Sequence, residues 1–490
     1  MRHPIVLDER LGAIAAITME AIKGMKHACA ADIGCDHGYL SAYLLENCPQ
    51  LRMIASDVSA PSLEKAKELM AARGLGARVK LAVADGLGAV DEPVNVIIMA
   101  GMGAQTILGI ISEGRERIGN AALLLQSNVD LPMLRTELAR LGFCVEREAF
   151  TCAAGRHYVT LLVRRGSARE LSEKEALLGE AVSGVKDAGQ RAYFLWQRGV
   201  RVREMEQVAR LHSIKAGERT EKNSRELGWI AEAIGMKTCT VGAIEAMVGD
   251  LAPFELAEEW DNVGLLVGRR GAEAARVLVA LDVTQGVIEE AKALGAQVIL
   301  THHPLMFSAR KRMTDDDREG ALLLSMAQAG IAHIAAHTNL DAAPGGVNDT
   351  LMALLGAQNV TGEGFVRVGD MPQGMTLEAL AQRARRSLKA DVRVYGAMDT
   401  PVCRLGCCSG SGSGEIEQAV RMGADCFITG EVRHNLALDA MDMGCTIIEA
   451  GHYETENPVC EVLRTALQNA ADTLQYKVTF FCSKVNPFGR

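Results

Sequence analysis

Between Ile299 and Glu456 the chain lays out one histidine and carboxylate pattern twice, and no other feature restricts its fold as strongly. The first copy is Thr301-His302-His303, followed by His337-Thr338-Asn339-Leu340-Asp341. The second is Gly423-Ala424-Asp425-Cys426-Phe427-Ile428-Thr429, followed by His452-Tyr453-Glu454-Thr455-Glu456. Residues 295–301 and 423–429 share a Gly-Ala start, two further residues, two apolar residues and a Thr. Each copy then sets a His after an apolar run and a carboxylate four positions later, Asp341 and Glu456. A repeat that delivers imidazoles and acids to the ends of apolar runs reads as a two-metal site rather than as packing.

At 490 residues and 48% hydrophobic content the chain is expected to form two or three domains with real cores. It has no apolar run of membrane-spanning length, and its N-terminus lacks a basic-then-apolar layout, so a cytoplasmic protein without membrane contact is expected. The 13 cysteines are scattered without a Cys-x-x-Cys pair, as for reduced thiols. Charge is uneven: residues 151–235 hold 15 basic and 11 acidic side chains, residues 236–490 hold 22 and 32. The first of these segments is therefore the candidate surface for a polyanion.

Short apolar runs at 28–33, 53–56, 79–84, 94–100, 122–126 and 159–163 alternate with helical stretches at 1–25, 39–45, 61–72 and 131–141. Such alternation predicts a doubly wound, mainly parallel sheet. Between 167 and 236 the strand signal stops, and Leu171, Leu195, Met205, Val208 and Leu211 fall at loosely helical intervals. That segment is either a coiled-coil-like helical hairpin or a plain helical linker. A second α/β unit begins after Gly235, so the predicted domains are 1–166, 167–236 and 237–490. The Gly/Ser loop at 406–414 lacks the Lys-Ser/Thr of a P-loop and reads as a phosphate cradle of another kind or a flexible turn.

In the first unit, Asp32-Ile33-Gly34-Cys35-Asp36-His37-Gly38-Tyr39 follows a strand and opens a helix, where glycines admit a ligand close to the backbone. Asp57, Asp85-Gly86 and Ala100-Gly101 end the next three strands, so acids and small residues line one edge of the sheet. These stretches, with the run 7–11 (LDERL) and LLLQSN, resemble the bacterial tRNA (adenine-22-N1)-methyltransferase family over residues 1–230. The resemblance implies a Rossmann-like fold that binds S-adenosylmethionine through Asp32, Gly34, Asp57, Asp85, Gly86, Ala100 and Gly101, with tRNA as substrate. Asp36, His37 and Tyr39 are the candidates to grip the adenine, although His37 reads equally as a helix-start residue. Arg164, Arg165, Arg191, Arg198, Arg201 and Arg203 would contact phosphates. Ala104 and Ser127 depart from the family's Gly and Pro on the substrate side.

In the second unit, Trp260-Asp261-Asn262, Thr301-His302-His303-Pro304-Leu305, His337 to Asp341, Thr429-Gly430-Glu431 and Gly451 to Glu456 resemble the Nif3-like family, also called type 2 GTP cyclohydrolase I homologues. The resemblance spans 238–490. It implies a duplicated three-layer α/β/α domain and a dinuclear centre on His302, His303, Asp341, His452 and Glu456. It also implies a homo-oligomer, a hexamer in short-form members. Three imidazoles and two carboxylates suit a pair of Zn, Fe or Mn ions, with one carboxylate, Glu456 for choice, shared between them. His337 and Glu431 are placed as supporting or proton-transfer residues, His337 reading otherwise as a buried strand-end histidine; His333 and His434 are expected outside the centre. The expected function is therefore a bifunctional fusion: a tRNA adenine-N1 methyltransferase and a metal-dependent hydrolase of a small molecule such as a nucleotide. The alternative for the second half is a non-catalytic metal-holding or oligomerising module.

Overall fold

The computed structural model describes residues 4–208 and 214–489, so Leu211 of the helical pattern lies outside the described residues. The chain divides into two compact units, residues 1–201 with 224–235, and residues 202–223 with 236–490.

The first unit is built on seven strands: β1 (Ala28–Ile33), β2 (Leu51–Asp57), β3 (Val79–Val83), β4 (Val96–Met102), β5 (Ala122–Ser127), β6 (Phe143–Ala153) and β7 (Arg156–Arg165). Their order is β3-β2-β1-β4-β5-β7-β6. β1 to β5 run parallel, and β7 pairs antiparallel with both β5 and β6. β6 carries no strand signal because it is an edge strand, half-exposed along much of its length and interrupted by Glu146, Arg147 and Glu148. The direction of strand succession reverses between β1 and β4, which opens a crevice at their carboxyl ends. Helices start where capping residues allow: Asp8 accepts from Leu11 N ahead of Glu9–Ala21, and Ser59 accepts from Ser62 N ahead of Ala60–Arg73.

The segment after β7 is a helical hairpin, not a bare linker. Ser172 and Glu175 form a reciprocal capping box for the helix Glu173–Leu178. Helices Ala188–Val208 and Ile214–Ala233 are tied by Arg201 to Glu226 at 2.7 Å, and Arg191 donates to the Ile234 carbonyl at 2.7 Å. Arg135, 2% exposed, joins this segment to the sheet. Its Nε donates to Glu148 at 2.7 Å and its Nη1 to the carbonyls of Ala176 and Leu177, both at 2.9 Å.

The second unit continues with β8 (Gly264–Val267), β9 (Arg276–Ala280), β10 (Val298–Thr301), β11 (Ala332–Ala335), β12 (Gln358–Glu363) and β13 (Val366–Asp370). β14 (Arg393–Tyr395), β15 (Arg404–Cys407), β16 (Cys426–Thr429), β17 (Thr446–Glu449) and β18 (Thr479–Cys482) complete it. Two sheets result, β18-β9-β10-β11-β8 and β12-β13-β15-β16-β17-β14. In the second sheet Cys426, Ile428 and Ile448 pack with Leu377, Leu380 and Ala381, while Phe427 and Ile447 pack with Ile416, Ala437 and Ala440. This period-two division puts helices on both faces and makes three layers. The sequence repeat is visible as topology. β9-β10-β11 and β15-β16-β17 are parallel triplets, each closed by an antiparallel strand, β8 or β14. A five-residue helix follows each third strand, Thr338–Ala342 and His452–Glu456.

Candidate functional site

The duplicated strands of the second unit bring the histidines together at their carboxyl ends. His302 and His303 leave β10, His337 leaves β11, and His452 opens the helix after β17. Ring centroids lie 4.9 Å apart for His302–His303, 5.1 Å for His302–His337 and 5.4 Å for His303–His452. Each ring has its Nδ1 held from behind. His302 Nδ1 is 2.9 Å from the Ala336 carbonyl, and His303 Nδ1 is 2.8 Å from Asp282. His337 Nδ1 is 2.9 Å from Asp261, and His452 Nδ1 is 3.0 Å from Glu431. An acceptor at Nδ1 fixes the proton there and leaves the Nε2 lone pair directed inward.

Those lone pairs meet carboxylates. Glu456 Oε2 lies 3.0 Å from His303 Nε2 and 3.1 Å from His452 Nε2, and Asp341 Oδ1 lies 3.7 Å from His302 Nε2. His302 Nε2, Asp341 Oδ1 and Glu456 Oε2 are buried without a hydrogen-bond partner. Lone pairs facing lone pairs repel unless positive charge stands between them, and buried polar atoms are rarely left orphaned. Two groups have ligand atoms within 4.8 Å of one another, His302/His303/His337 and His303/His452/Glu456. The residues present therefore fit a bound cation.

The charges tell the same story. Burial pulls His303 down, but Asp282 and Glu456 outweigh it and lift the imidazole to about 10. The Glu456 carboxylate, 3.1 Å from its Nε2, lifts His452 to about 9. Burial pushes His302 down to about 3, and burial followed by the charge of Glu456 pushes Asp341 well above the carboxylate range. Burial opposes ionisation of Glu456, yet His303 and His452 hold it low. Protons on His303, His452 and Asp341 occupy the place that metal charge would take.

The Gly/Ser loop belongs to this site. A Cβ at Gly410 would collide with Glu456 Oε1 and stand 3.0 Å from His452 Nε2, and the residue has φ +56°, so only glycine fits there. Ser411 Oγ donates to Glu431 at 2.9 Å, extending the chain behind His452. Cys407 and Cys408 beside it are buried. All five expected ligands thus meet in one cluster. His337, expected as a supporting residue, sits within ligand distance of His302 and His303. His333 is fully buried, with Nε2 2.8 Å from Thr301 Oγ1, and His434 begins the helix His434–Asp442. Sequence reasoning missed Asp282 and Asp261 as holders of imidazoles. Asp282 lies two residues beyond the end of β9, the strand-end position that singled out Asp57 and Asp85 in the first unit.

In the first unit the carboxyl ends of β1, β2 and β4 bring Asp32, Asp57 and Ala100-Gly101 to the crevice edge, with Asp85-Gly86 just after β3. Asp32 is 4% exposed and accepts from Ser41 at 2.6 Å; burial raises its pKa to about 6 against that bond, and Asp57 adds to the rise. Asp57 accepts from the backbone N–H of Asp36 at 2.9 Å and of Ser59 at 2.8 Å. Gly34 has φ +75°, and a Cβ there would collide with the Met102 side chain. A buried acid, a second strand-end acid and a glycine turn suit a cationic ligand carrying a ribose. Asp36 is exposed with φ +47°, Lys65 Nζ lies 3.3 Å from His37 Nε2, and Tyr39 is 53% exposed. Gln126 Oε1 accepts from Arg10 at 3.0 Å and Gly101 N at 3.1 Å, and Asn128 donates to the Gly101 carbonyl at 2.7 Å. The expectation for the basic segment needs correction. Arg198 is 6% exposed, Arg191 holds a carbonyl and Arg201 is paired with Glu226, so these three work inside the fold. Arg164, Arg165 and Arg203 are exposed, Arg164 pairing with Glu146 at 2.7 Å and Arg165 donating to the Gly119 carbonyl at 2.6 Å.

No helix among the described residues is long and apolar enough to cross a membrane. Comparison with known proteins finds a match to each half. A methyltransferase-domain family model matches residues 7–161, and the Duf34/NIF3 (NGG1p interacting factor 3) model matches residues 239–487. A GTP cyclohydrolase 1 type 2 homolog of Clostridium acetobutylicum is 34% identical over 251 residues, which cover 49% of this chain and 94% of that protein. Protein SA1388 of Staphylococcus aureus is 29% identical with a TM-score of 0.50, over 51% of this chain and 98% of its own. The B. subtilis M1A22 tRNA methyltransferase TrmK is 22% identical with a TM-score of 0.41, over 47% of this chain and 99% of its own. The chain belongs to the Duf34/NIF3 family and carries a methyltransferase domain ahead of the family's own.

Proposed function

We propose that the chain is a bifunctional enzyme, with methyl transfer to N1 of adenine 22 of tRNA in its first half and metal-dependent hydrolysis of a nucleotide-like compound in its second. The working parts are residues 1–166 for methyl transfer, 167–236 as a helical appendage and 237–490 for the metal centre.

For the first half the reading rests on the acids and glycines at successive strand ends on either side of the switch point. S-adenosylmethionine, when bound, supplies a methyl group made electrophilic by its sulfonium. Asp32, Gly34, Asp57, Asp85, Gly86, Ala100 and Gly101 would hold it, the last two where the substrate edge must come close. Adenine N1 has an in-plane lone pair and no proton to lose, so the residues need only unstack and aim the base. Tyr39 offers an exposed ring for that, with Asp36 and His37 beside it to meet charge developing on the adenine.

For the second half the reading rests on four imidazoles whose Nδ1 atoms are all engaged, three of which, His302, His303 and His452, turn Nε2 toward buried carboxylate oxygens. His302, His303, Asp341, His452 and Glu456 would hold two divalent ions, Zn, Fe or Mn by their donor types, with His337 within reach of the same cluster. Bound ions would supply Lewis acidity. Asp261 keeps His337 oriented to hold or move a proton.

Purified full-length chain with labelled S-adenosylmethionine should methylate unmodified tRNA and lose that activity when position 22 is changed from A to G. Equal labelling of both RNAs would refute the target. Elemental analysis should find divalent metal, and a nucleotide-hydrolysis screen should find turnover absent in Glu456→Ala. Metal without turnover on any substrate would instead favour a non-catalytic metal-holding module.

A further inference from the structure

Trp260-Asp261-Asn262 is fastened to the metal centre at two points. Asp261 holds His337 Nδ1 at 2.9 Å and Thr338 N at 3.0 Å. Asn262 Nδ2 donates to the Met306 carbonyl at 2.7 Å, which pins the loop leaving His303 one residue before Phe307. Two aromatic rings are thereby set beside one imidazole. Trp260 lies 6.1 Å from the His337 ring at 75°, and Phe307 lies 5.4 Å from it at 86°. Neither ring is used up by packing, since Trp260 is 61% exposed and Phe307 50%. In a chain with only 3 Trp and 10 Phe, two open rings around the same histidine are a costly arrangement for a structural role.

The loop also carries charge. Arg310 is committed to Asp317 at 2.7 Å and Glu319 at 2.8 Å, while Lys311 and Arg312 next to it are exposed. These two cations stand on the segment that presents Phe307, with the exposed acids Asp315 and Asp316 following them. Flat apolar rings, two exposed cations on the loop that carries Phe307 and a cluster of inward-facing imidazoles together match one ligand chemistry: a planar heterocycle joined to an anionic group.

We propose that Trp260 and Phe307 form a stacking platform for the base of a nucleotide, with Lys311 and Arg312 meeting its phosphate at the mouth of the His302/His303/His337 cluster. The platform names the substrate class of the hydrolase reading, and it rests on that reading only for the turnover of the bound nucleotide. The rings would add about tenfold to affinity, within the range for stacking a base on an aromatic side chain.

The test is calorimetric titration of full-length, metal-loaded chain with AMP, GMP, CMP and UMP, with ribose 5-phosphate as the base-free probe. At least one mononucleotide should bind about tenfold more tightly than ribose 5-phosphate. Trp260→Ala and Phe307→Ala should each abolish that preference, leaving ribose 5-phosphate binding and metal content unchanged, and Trp260→Phe should restore most of it. No base preference in the parent chain, or a preference that survives both alanine variants, overturns the platform. A change of oligomeric state in both variants overturns it too, as the rings would then belong to a contact between copies. Should an alanine variant fail to fold, Trp260→Leu and Phe307→Leu, each expected to lose the preference at constant metal content, decide in its place. Base-dependent binding without turnover would sink the hydrolase reading alone; turnover without base preference would sink the platform alone.

Discussion

Replacing Asp282 isolates the role of the groups behind the imidazoles. Its carboxylate lies 2.8 Å from His303 Nδ1 and is part-exposed, and His303 belongs to both candidate ligand groups. In Asp282→Ala the ring loses the acceptor that fixes its tautomer and is free to turn its lone pair away from Glu456. Removing such an outer partner costs about 10–100-fold in metal affinity, or about 1.4–2.7 kcal/mol. Asp282→Asn keeps an acceptor oxygen but drops the charge, so its loss should fall near the lower end. Metal affinity is measured by competition with a chromophoric chelator on the full-length chain, with far-ultraviolet circular dichroism as the check on folding. Asp261→Ala, which releases His337 instead, provides the comparison and should weaken one bound equivalent. If both alanine variants stay folded and bind metal within twofold of the parent, inward-fixed imidazoles are not what makes the site, and the centre as described is wrong.

Gly410→Ala should remove metal binding while leaving the fold intact by circular dichroism, because its Cβ would collide with Glu456 Oε1. Full metal occupancy in this variant would show that the loop does not border the centre. Arg135→Met leaves Glu148 buried without its partner and should lower the unfolding free energy of the first unit by about 3–5 kcal/mol in urea, with Arg135→Met/Glu148→Leu recovering much of it. Burial raises the Asp32 pKa from 3.8 to about 6, so folding takes up a proton between those values and the group's cost to stability, which begins above 3.8, is complete above about pH 6. Asp32→Asn should therefore raise the melting temperature at pH 7, an effect of up to about 3 kcal/mol, while weakening S-adenosylmethionine binding. In the parent chain, affinity for that cationic ligand should fall as pH drops below about 6, by up to about tenfold per unit, in titration calorimetry. A flat profile would remove Asp32 from the cofactor site.

Much of this was legible in the order of residues. Apolar runs ending in Asp32, Asp57, Ala100-Gly101, His302 and His337 announced strands with chemistry at their carboxyl ends, because a parallel sheet buries its strands on both faces and leaves only their ends free for function. The repeat of Gly-Ala, apolar run and Thr marked a duplicated scaffold, and the paired triplets β9-β10-β11 and β15-β16-β17 carry it. Such signals are local, and local spacing is what a sequence writes down directly. The hairpin β6–β7 escaped in part because an edge strand alternates too weakly, with Glu146 to Glu148 in its middle. The arginines of the helical segment were misjudged because charge density says nothing of direction: Arg198 is buried, and Arg201 turns to Glu226 on the other helix. Glu431, behind His452, was legible as a supporting residue, but the acceptors behind His302, His303 and His337, namely Ala336, Asp282 and Asp261, come from separate stretches that only the folded sheet edge brings together. So does the contact of Gly410 with Glu456, and the pairing of Trp260 with Phe307 across His337. Composition and spacing determined which elements form and where reactive groups leave them. Which lone pairs face one another, and which rings stay open beside them, depended on long-range packing that no local pattern encodes.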